Sequence, residues 1–456
     1  MATQQTASRQ APAPQPVPGP GLSVLTRISE MRQDPLRFFR SLAEEYGGLY
    51  KVNLLGRSFY LVSEPDYVKH ILQENNRNYI KGDSVEPARI LVGYGLATSD
   101  GDLWLTQRRL MQPAFHRKRL ASLGKLMTDT AEQHLSTWED HRESGDPIDL
   151  VDEMMALTLQ IIVSTMFTKD ISEEVGELGE AFTEVLRFID QRSFGSMGLP
   201  IWMPTPKNLR AKRAIETIDR IVYRVAEERR GKEEQYEDLL SMLLLARDAD
   251  TGEGMSPRQL RDEIVTIFFA GHETTALTLT WTLHELFRNP EVEEKLRAEV
   301  ESVLDGRTPT VEDLKDLRYT RMVLDEALRR YPAAWVFIRQ SVEEDVIDGF
   351  RIPADSDVIL SPYVTHHLPE YWDEPDEFRP ERFDPDSEHP SHPMAYYPFG
   401  GGPRLCIGRD FALMEATLLL PMILQRYRLH PTPDYHAEAI PMVTLRPKGH
   451  TSVFVS

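Results

Sequence analysis

The sequence predicts a mainly α-helical protein with small β-sheets, folded as one large domain. Three observations carry that expectation. From Pro65 to about Arg330 apolar residues recur three and four apart, the spacing of helices with one buried face. Short strand-like runs bounded by turn residues lie before Pro65 and after Pro332. No fixed-period repeat and no Gly/Ser linker divides the 456 residues.

Composition narrows the function classes. With 41% hydrophobic residues the chain can bury a sizeable core. Its 52 Lys and Arg stand against 72 Asp and Glu, a formal charge of −20, which opposes binding to nucleic acid. A single cysteine excludes an internal disulfide and any all-cysteine zinc or iron–sulfur site, and fits a reducing compartment. No segment offers the roughly 18 uninterrupted apolar residues of a membrane anchor, so a soluble, cytoplasmic protein is expected.

In chain order, residues 1–20 are polar and then Pro-rich, and read as a disordered lead-in, with residues 21–456 as the folded domain. Leu49–Leu54 and Phe59–Val62 flank Gly56-Arg57 as a hairpin. Helical periodicity follows over Gln107–Leu126, Leu150–Phe167, Glu174–Asp190 and Leu209–Arg230. The longest helix is expected between Ser256-Pro257-Arg258-Gln259, a capping pattern with Pro at the first helical position, and Asn289-Pro290. Those roughly 32 residues would span about 48 Å. They are apolar nearly all round, as for a helix through the middle of a globule, yet Gly271-His272-Glu273-Thr274-Thr275 interrupts that surface at its centre. Small residues there suit either a close helix–helix contact or an opening for a ligand. Strand-like Val346–Ile352 and Val358–Ser361 lead into a Pro/Asp/Glu-rich meander from His366 to Pro398, then a helix from about Ile407 to Arg426 and a β tail.

Cys406 carries the first chemical signal. It lies in Phe399-Gly400-Gly401-Gly402-Pro403-Arg404-Leu405-Cys406-Ile407-Gly408, directly before a helical run. A helix amino terminus and a neighbouring arginine both favour the thiolate. The glycines allow the backbone close to a flat ligand and can aim amide N–H groups at the sulfur. This is an environment for a metal-bound thiolate.

That stretch resembles the haem-binding signature F-x-x-G-x-R-x-C-x-G of the cytochrome P-450 haem-thiolate monooxygenases, matched at Phe399, Gly402, Arg404, Cys406 and Gly408. Other landmarks of the family fall in its order. Trp104 to Arg108 is similar to its W-x-x-x-R, Ala270 to Thr274 to A-G-x-[D/E]-T, Glu326 to Arg329 to E-x-x-R, and Pro380 to Phe383 to P-E-R-F. The resemblance runs from about Pro18 to the carboxyl end. It implies a single large cytochrome P-450-type fold, with haem b (iron protoporphyrin IX) between the long central helix and the cysteine-loop helix.

The resemblance also implies roles. Cys406 would be the axial ligand of the haem iron, with Phe399 and Gly408 among the haem-binding residues. Trp104, Arg108, Arg339 and Arg404 would contact the haem propionates, which want forked cationic partners and N–H donors. Glu326 and Arg329, three apart on one helix face, would form a buried structural triad with Arg382. Thr274 and Glu273 would be the acid–alcohol pair, since splitting dioxygen consumes two protons that a hydroxyl, an ordered water and a carboxylate can deliver. His272 would be a bystander. Phe268, Phe269 and Ala270 with Trp335, Val336 and Phe337 would wall the substrate pocket, together with the segment Ser84–Thr98 and a lid over Phe194–Pro206.

The expected function is insertion of one oxygen atom of dioxygen into a lipophilic substrate of fatty-acid, terpenoid or steroid type. The chain shows no flavin or iron–sulfur module after its β tail, so electrons are expected from an external ferredoxin or flavodoxin with its reductase. Arg108, Arg109, Arg117, Lys118 and Arg119 form a basic cluster suited to docking such an acidic partner. The alternatives are an electron-donor-independent haem-thiolate isomerase or peroxygenase, against which Glu273 and Thr274 argue, and a non-catalytic haem sensor.

Overall fold

The longest helix, Pro257–Arg288, starts where the Ser256 side chain accepts a hydrogen bond from the Gln259 N–H (3.2 Å), and ends at Asn289 before Pro290. The computed structural model describes residues 14–21, 27–54, 57–168, 174–193, 200–248, 250–386 and 391–456. Within these, this central helix packs on one side against helix Leu150–Phe167 and on another against helices Arg318–Arg330 and Arg409–Arg426. Leu150–Phe167 is long and apolar enough to cross a membrane, yet Leu157, Ile161 and Ile162 are buried in the main core beside the central helix. Small and hydroxyl residues bring the two helices together. Thr158 Oγ1 donates to the His272 carbonyl at 2.9 Å, and a Cβ on Gly271 would stand 3.4 Å from Ile162 Cδ1.

One mixed sheet takes the five strands Leu49–Leu54, Arg57–Val62, Asp357–Leu360, Phe337–Ser341 and Tyr79–Ile80, in that spatial order. The expected hairpin is its first pair, with Leu49 opposite Val62. Near the carboxyl end, His436–Pro441 and Leu445–His450 form a second hairpin that reaches the central helix.

Two expectations need correction. The lead-in is not disordered throughout: Gln15 and Pro16 pair in parallel with Phe350 and Arg351, and Lys51 N–H donates to the Pro18 carbonyl at 2.7 Å. An extended Pro-rich chain has free carbonyls to offer, and a sheet edge tolerates proline. Residues 1–13 lie outside the described residues. The periodic run Gln107–Leu126 is two helices, Gly101–Met111 and Arg117–Ser136. Pro113 between them cannot continue the backbone ladder, and His116 caps the second.

Candidate active site

The cysteine loop is built on backbone that only glycine adopts readily. Gly400 and Gly402 have φ of +72° and +65°, and a Cβ on Gly402 would fall 1.9 Å from the Leu72 carbonyl oxygen. The turn closes through Leu405 N–H to Gly402 O (3.1 Å) and Cys406 N–H to Phe399 O (3.0 Å). Cys406 thus stands just before helix Arg409–Arg426 with Gly408 at its cap. Cys406 is exposed on the wall of a cavity of about 310 Å³. Burial pushes the thiol pKa up, while the Gly408 and Arg409 N–H groups and the charges of Arg108 and Arg409 pull it down.

Facing the loop, the central helix lines the cavity with Ile267, Ala270, Gly271, Thr274, Thr275 and Thr278, residues three and four apart. Phe337 lines it from the five-stranded sheet, and Leu96 and Ala97 close another wall. Ala270 and Phe337 therefore stand where the sequence places them. Phe268 and Phe269 do not border the cavity; Phe268 is fully buried between Phe167 and Phe182, with ring centroids 5.4 and 5.5 Å away. Each helical step turns about 100°, so those two side chains leave the face that carries Ala270 and Thr274. Trp335 and Val336 also miss it. The Trp335 indole donates to the Met442 carbonyl at 2.7 Å and packs with Val336 in a separate cluster around Leu36 and Leu445. Ala333 and Ala334 line the cavity in their place. Of the expected lid, residues 194–199 lie outside the described residues, and Trp202 is exposed.

The acid–alcohol pair divides between two faces. Thr274 faces the cavity, and its Oγ1 donates to the Ala270 carbonyl at 2.7 Å within an unbroken helix. Glu273 is buried outside the cavity, where Oε1 accepts from Arg446 Nε (2.7 Å) and from Thr444 Oγ1 of the carboxyl-terminal hairpin. His272 is buried with Nδ1 at 3.1 Å from the Phe268 carbonyl, and burial lowers its pKa.

Cations gather at one rim. Arg404 donates to Asp100 Oδ1 (2.5 Å) and to the Ser99 carbonyl (3.0 Å) and lies 4.4 Å above the Trp104 ring. Arg108 donates to the Leu405 carbonyl at 3.0 Å. Arg339 is buried, and burial followed by the charge of Arg404 pushes it down to about 10. Lys81, which sequence reasoning missed, lines the cavity beside them; burial first, then Arg339 and Arg404, hold its pKa well below normal. The sheet explains the pairing, because Ile80 stands opposite Gln340 and so brings Lys81 beside Arg339. Lys81, Arg339 and Arg404 face one carboxylate, Asp100. That excess of basic groups, buried at Arg339 and half-buried at Lys81 and Arg404, next to a cysteine sulfur and the cavity, fits a flat group with two carboxylates, which is haem.

Beneath the loop, Glu326 and Arg329 are both 0% exposed and form a two-pronged pair at 2.7 and 2.8 Å. Arg382 approaches Glu326 Oε1 at 3.4 Å. Arg329 also donates to the carbonyls of His366 (2.8 Å) and Glu377 (3.1 Å), and His366 Nε2 accepts the Tyr397 N–H at 3.0 Å, two residues before Phe399. The triad is therefore wired to the start of the cysteine loop.

Comparison with known proteins bears on this geometry directly. The Cytochrome P450 family model matches residues 12–453. The chain is 36% identical over 400 residues to a cyclooctat-9-en-7-ol 5-monooxygenase of Streptomyces melanosporofaciens, covering 88% of this chain and 86% of that one. It is 34% identical over 418 residues to a pentalenene oxygenase of Streptomyces avermitilis, covering 91% of each. Its fold is similar to the crystal structure of the cytochrome P450DA heme domain, with TM-score 0.87, 30% identity and 98% of both chains covered. A haem-containing oxidoreductase that activates dioxygen is the class so defined. The chain belongs to the cytochrome P450 family, and it is a P450 monooxygenase.

Proposed function

We propose that this monooxygenase hydroxylates or epoxidises a polycyclic terpenoid, using electrons from a separate ferredoxin or flavodoxin and its reductase. The observation that carries the reading is the cavity itself, with the Cys406 sulfur on one wall and the Thr274 hydroxyl on the other. Cys406 would hold haem there through its thiolate, and the haem iron, enriched in electron density by that sulfur, would supply the dioxygen chemistry. Lys81, Arg339 and Arg404 would hold the propionates, and Trp104 and Arg108 would complete that rim. Thr274 holds an ordered water and passes protons towards the cavity, and Glu273 supplies them by leaving Arg446 and Thr444.

The lining of the cavity supports a substrate class. Among the described residues the basic groups that line it, Lys81, Arg108 and Arg404, belong to the cofactor rim rather than to a site for a fatty-acid carboxylate. Apart from the threonines of the central helix, the remaining wall is largely apolar, with Leu96, Phe115, Leu239, Ile267 and Phe337. Relatives named for cyclooctat-9-en-7-ol and pentalenene support a neutral polycyclic substrate. The basic cluster is smaller than its sequence suggests: Arg109 pairs with Asp248 and Asp250, and Arg117 with Asp410. Lys118 and Arg119 remain exposed for partner docking. A cytoplasmic location is part of the same proposal, supported by the burial of Leu150–Phe167 in the core.

The test is product formation from pentalenene, a fatty acid and a steroid with NADPH and a surrogate ferredoxin and reductase. Oxygenated pentalenene with no fatty-acid product is expected. Turnover with hydrogen peroxide alone, or isomerised product without NADPH consumption, would overturn the reading.

A further inference from the structure

Two turns before Ala270, three consecutive residues of the central helix hold the chain that becomes the cavity wall. Arg261 Nη1 donates to the Leu91 carbonyl at 2.6 Å, Tyr94 N–H donates to Asp262 Oδ2 at 3.1 Å, and Leu96 N–H donates to Glu263 Oε2 at 2.9 Å. Two glycines make this approach possible. A Cβ on Gly93, whose φ is +56°, would fall 2.3 Å from Asp262 Oδ2, and one on Gly95 would fall 2.0 Å from Thr266 Oγ1. The held chain continues through Leu96 and Ala97, which line the cavity, to Ser99 and Asp100, both gripped by Arg404.

Glu263 is the unusual member. It is 0% exposed, and its Oε1 has no hydrogen-bond partner among the described residues. On its own helix, Asp262 adds a like charge, while Arg261 is turned to Leu91, Asp262 and Asp219. From helix Pro206–Arg229 the facing charge is that same Asp219, bonded to Arg261 at 2.7 Å. Helix Leu239–Leu245 has no charged residue. Helix Leu150–Phe167 has its two, Asp152 and Glu153, in the first turn, whereas its last residue, Phe167, stacks on Phe268. From the segment Glu86–Val92, Arg89 is directed to the Thr98 carbonyl and Glu86 to Arg89. Among the described residues, therefore, no cation serves Glu263.

We propose that Arg261, Asp262 and Glu263 are positioning residues that set the Gly93–Ala97 wall, and that protonation of Glu263 decides how tightly this wall closes on a substrate. The second half rests on the reading of the cavity as the substrate pocket. Closure takes up one proton from solvent and makes or breaks no covalent bond other than that O–H. Burial first, with Asp262 adding and the Leu96 N–H opposing, pushes closed Glu263 up to about 8. Once the wall opens and water reaches it, the carboxyl returns towards its ordinary 4.5. A group raised in the closed state favours closure fully below the open value and loses that contribution as pH rises through the closed value. The wall is tight in acid and loosens up to about pH 8.

Hydrogen–deuterium exchange of peptides spanning residues 91–98 in the substrate-free holoenzyme tests this, from about pH 6 to 9 and corrected for intrinsic amide rates. Wild-type opening should rise roughly tenfold per pH unit and level off near 8. Glu263→Gln, which keeps the neutral acceptor, should stay closed at every pH, and Gly95→Ala should be open at every pH. The same slope in Glu263→Gln, or a flat wild-type profile, would overturn the proposal. The wild-type profile decides the matter even if the variants do not accumulate. Added pentalenene should slow the same peptides; if the pH slope appears but pentalenene and a steroid both leave exchange unchanged, the clasp stands and the pocket reading fails.

Discussion

Thr274 and Glu273 are sequence neighbours with separate surroundings, so their variants should fail differently. Thr274→Ala removes a hydroxyl from the cavity wall and leaves a better helix former, by several tenths of a kcal/mol. The protein should fold and consume NADPH, with more electrons appearing as hydrogen peroxide and fewer as product. Glu273→Gln should slow turnover at an unchanged peroxide fraction, because the carboxylate held by Arg446 is lost as a proton source. Product and peroxide per NADPH separate the two; an unchanged ratio in Thr274→Ala would remove its role. Lys81 makes a prediction of opposite sign in two states. Lys81→Met should stabilise the haem-free protein by relieving repulsion with Arg339 and Arg404, yet hasten haem loss from the holoenzyme several-fold. Thermal midpoints of both forms and haem transfer to apomyoglobin measure this. Cys406, Arg404 and Thr274 were legible because their neighbours in sequence carry the pattern. Lys81, Thr444 and Arg446 were not, since each meets its partner across a strand pair or a hairpin contact more than 150 residues away.

At the scale of elements, the pair Glu326 and Arg329 looks in sequence like any i, i+3 pair on a helix, worth little when exposed. Burial changes its meaning. Arg329 joins its helix to the meander through the His366 and Glu377 carbonyls, and His366 passes the connection to Tyr397. Arg329→Ala would leave Glu326 charged and buried, at a cost of about 3–5 kcal/mol. The expected outcome is low haem incorporation and early unfolding in urea, read by circular dichroism and haem content; full haem loading at wild-type stability would show the pair to be dispensable. Gly402→Ala should fail by another route, since the Leu72 carbonyl leaves no room for a methyl group at that φ. Helix ends with a local cause, such as Ser256 or Asn289, were readable. The break at Pro113 is masked in sequence because apolar periodicity continues on both sides of it, and the turned-away faces of Phe268 and Trp335 depend on packing that a family pattern does not encode.

Over the whole molecule, the class of fold could be read from helical period and the cofactor from the family resemblance that the cysteine loop carries, while the ordering of Gln15 and Pro16 needed an edge 335 residues away to pair with. Buried ionisable groups also act at this scale, because their protons are counted over the entire chain on unfolding. His272, His284, His366 and His367 are buried with lowered pKa values, His284 to about 4 and His366 to about 3, through burial and then, for the last three, neighbouring arginines. Unfolding lets each return to 6.5, so their contribution is present above that value and is lost as pH falls. Glu263 and Glu415, the latter beside Thr275 between the cysteine helix and the central helix, are instead raised by burial to about 8. Their contribution is present below 4.5 and is lost as pH rises to about 8. Near pH 5.5 unfolding takes up to four protons and releases two, so stability rises with pH; near pH 7.5 only the release remains, and stability falls. Each proton is worth about 1.4 kcal/mol per pH unit. The thermal midpoint of the holoenzyme should therefore peak near about pH 6.5. In Glu263→Gln/Glu415→Gln the alkaline decline should flatten while the acid limb persists, and an unchanged alkaline decline would show that these two carboxyls are not held neutral in the fold.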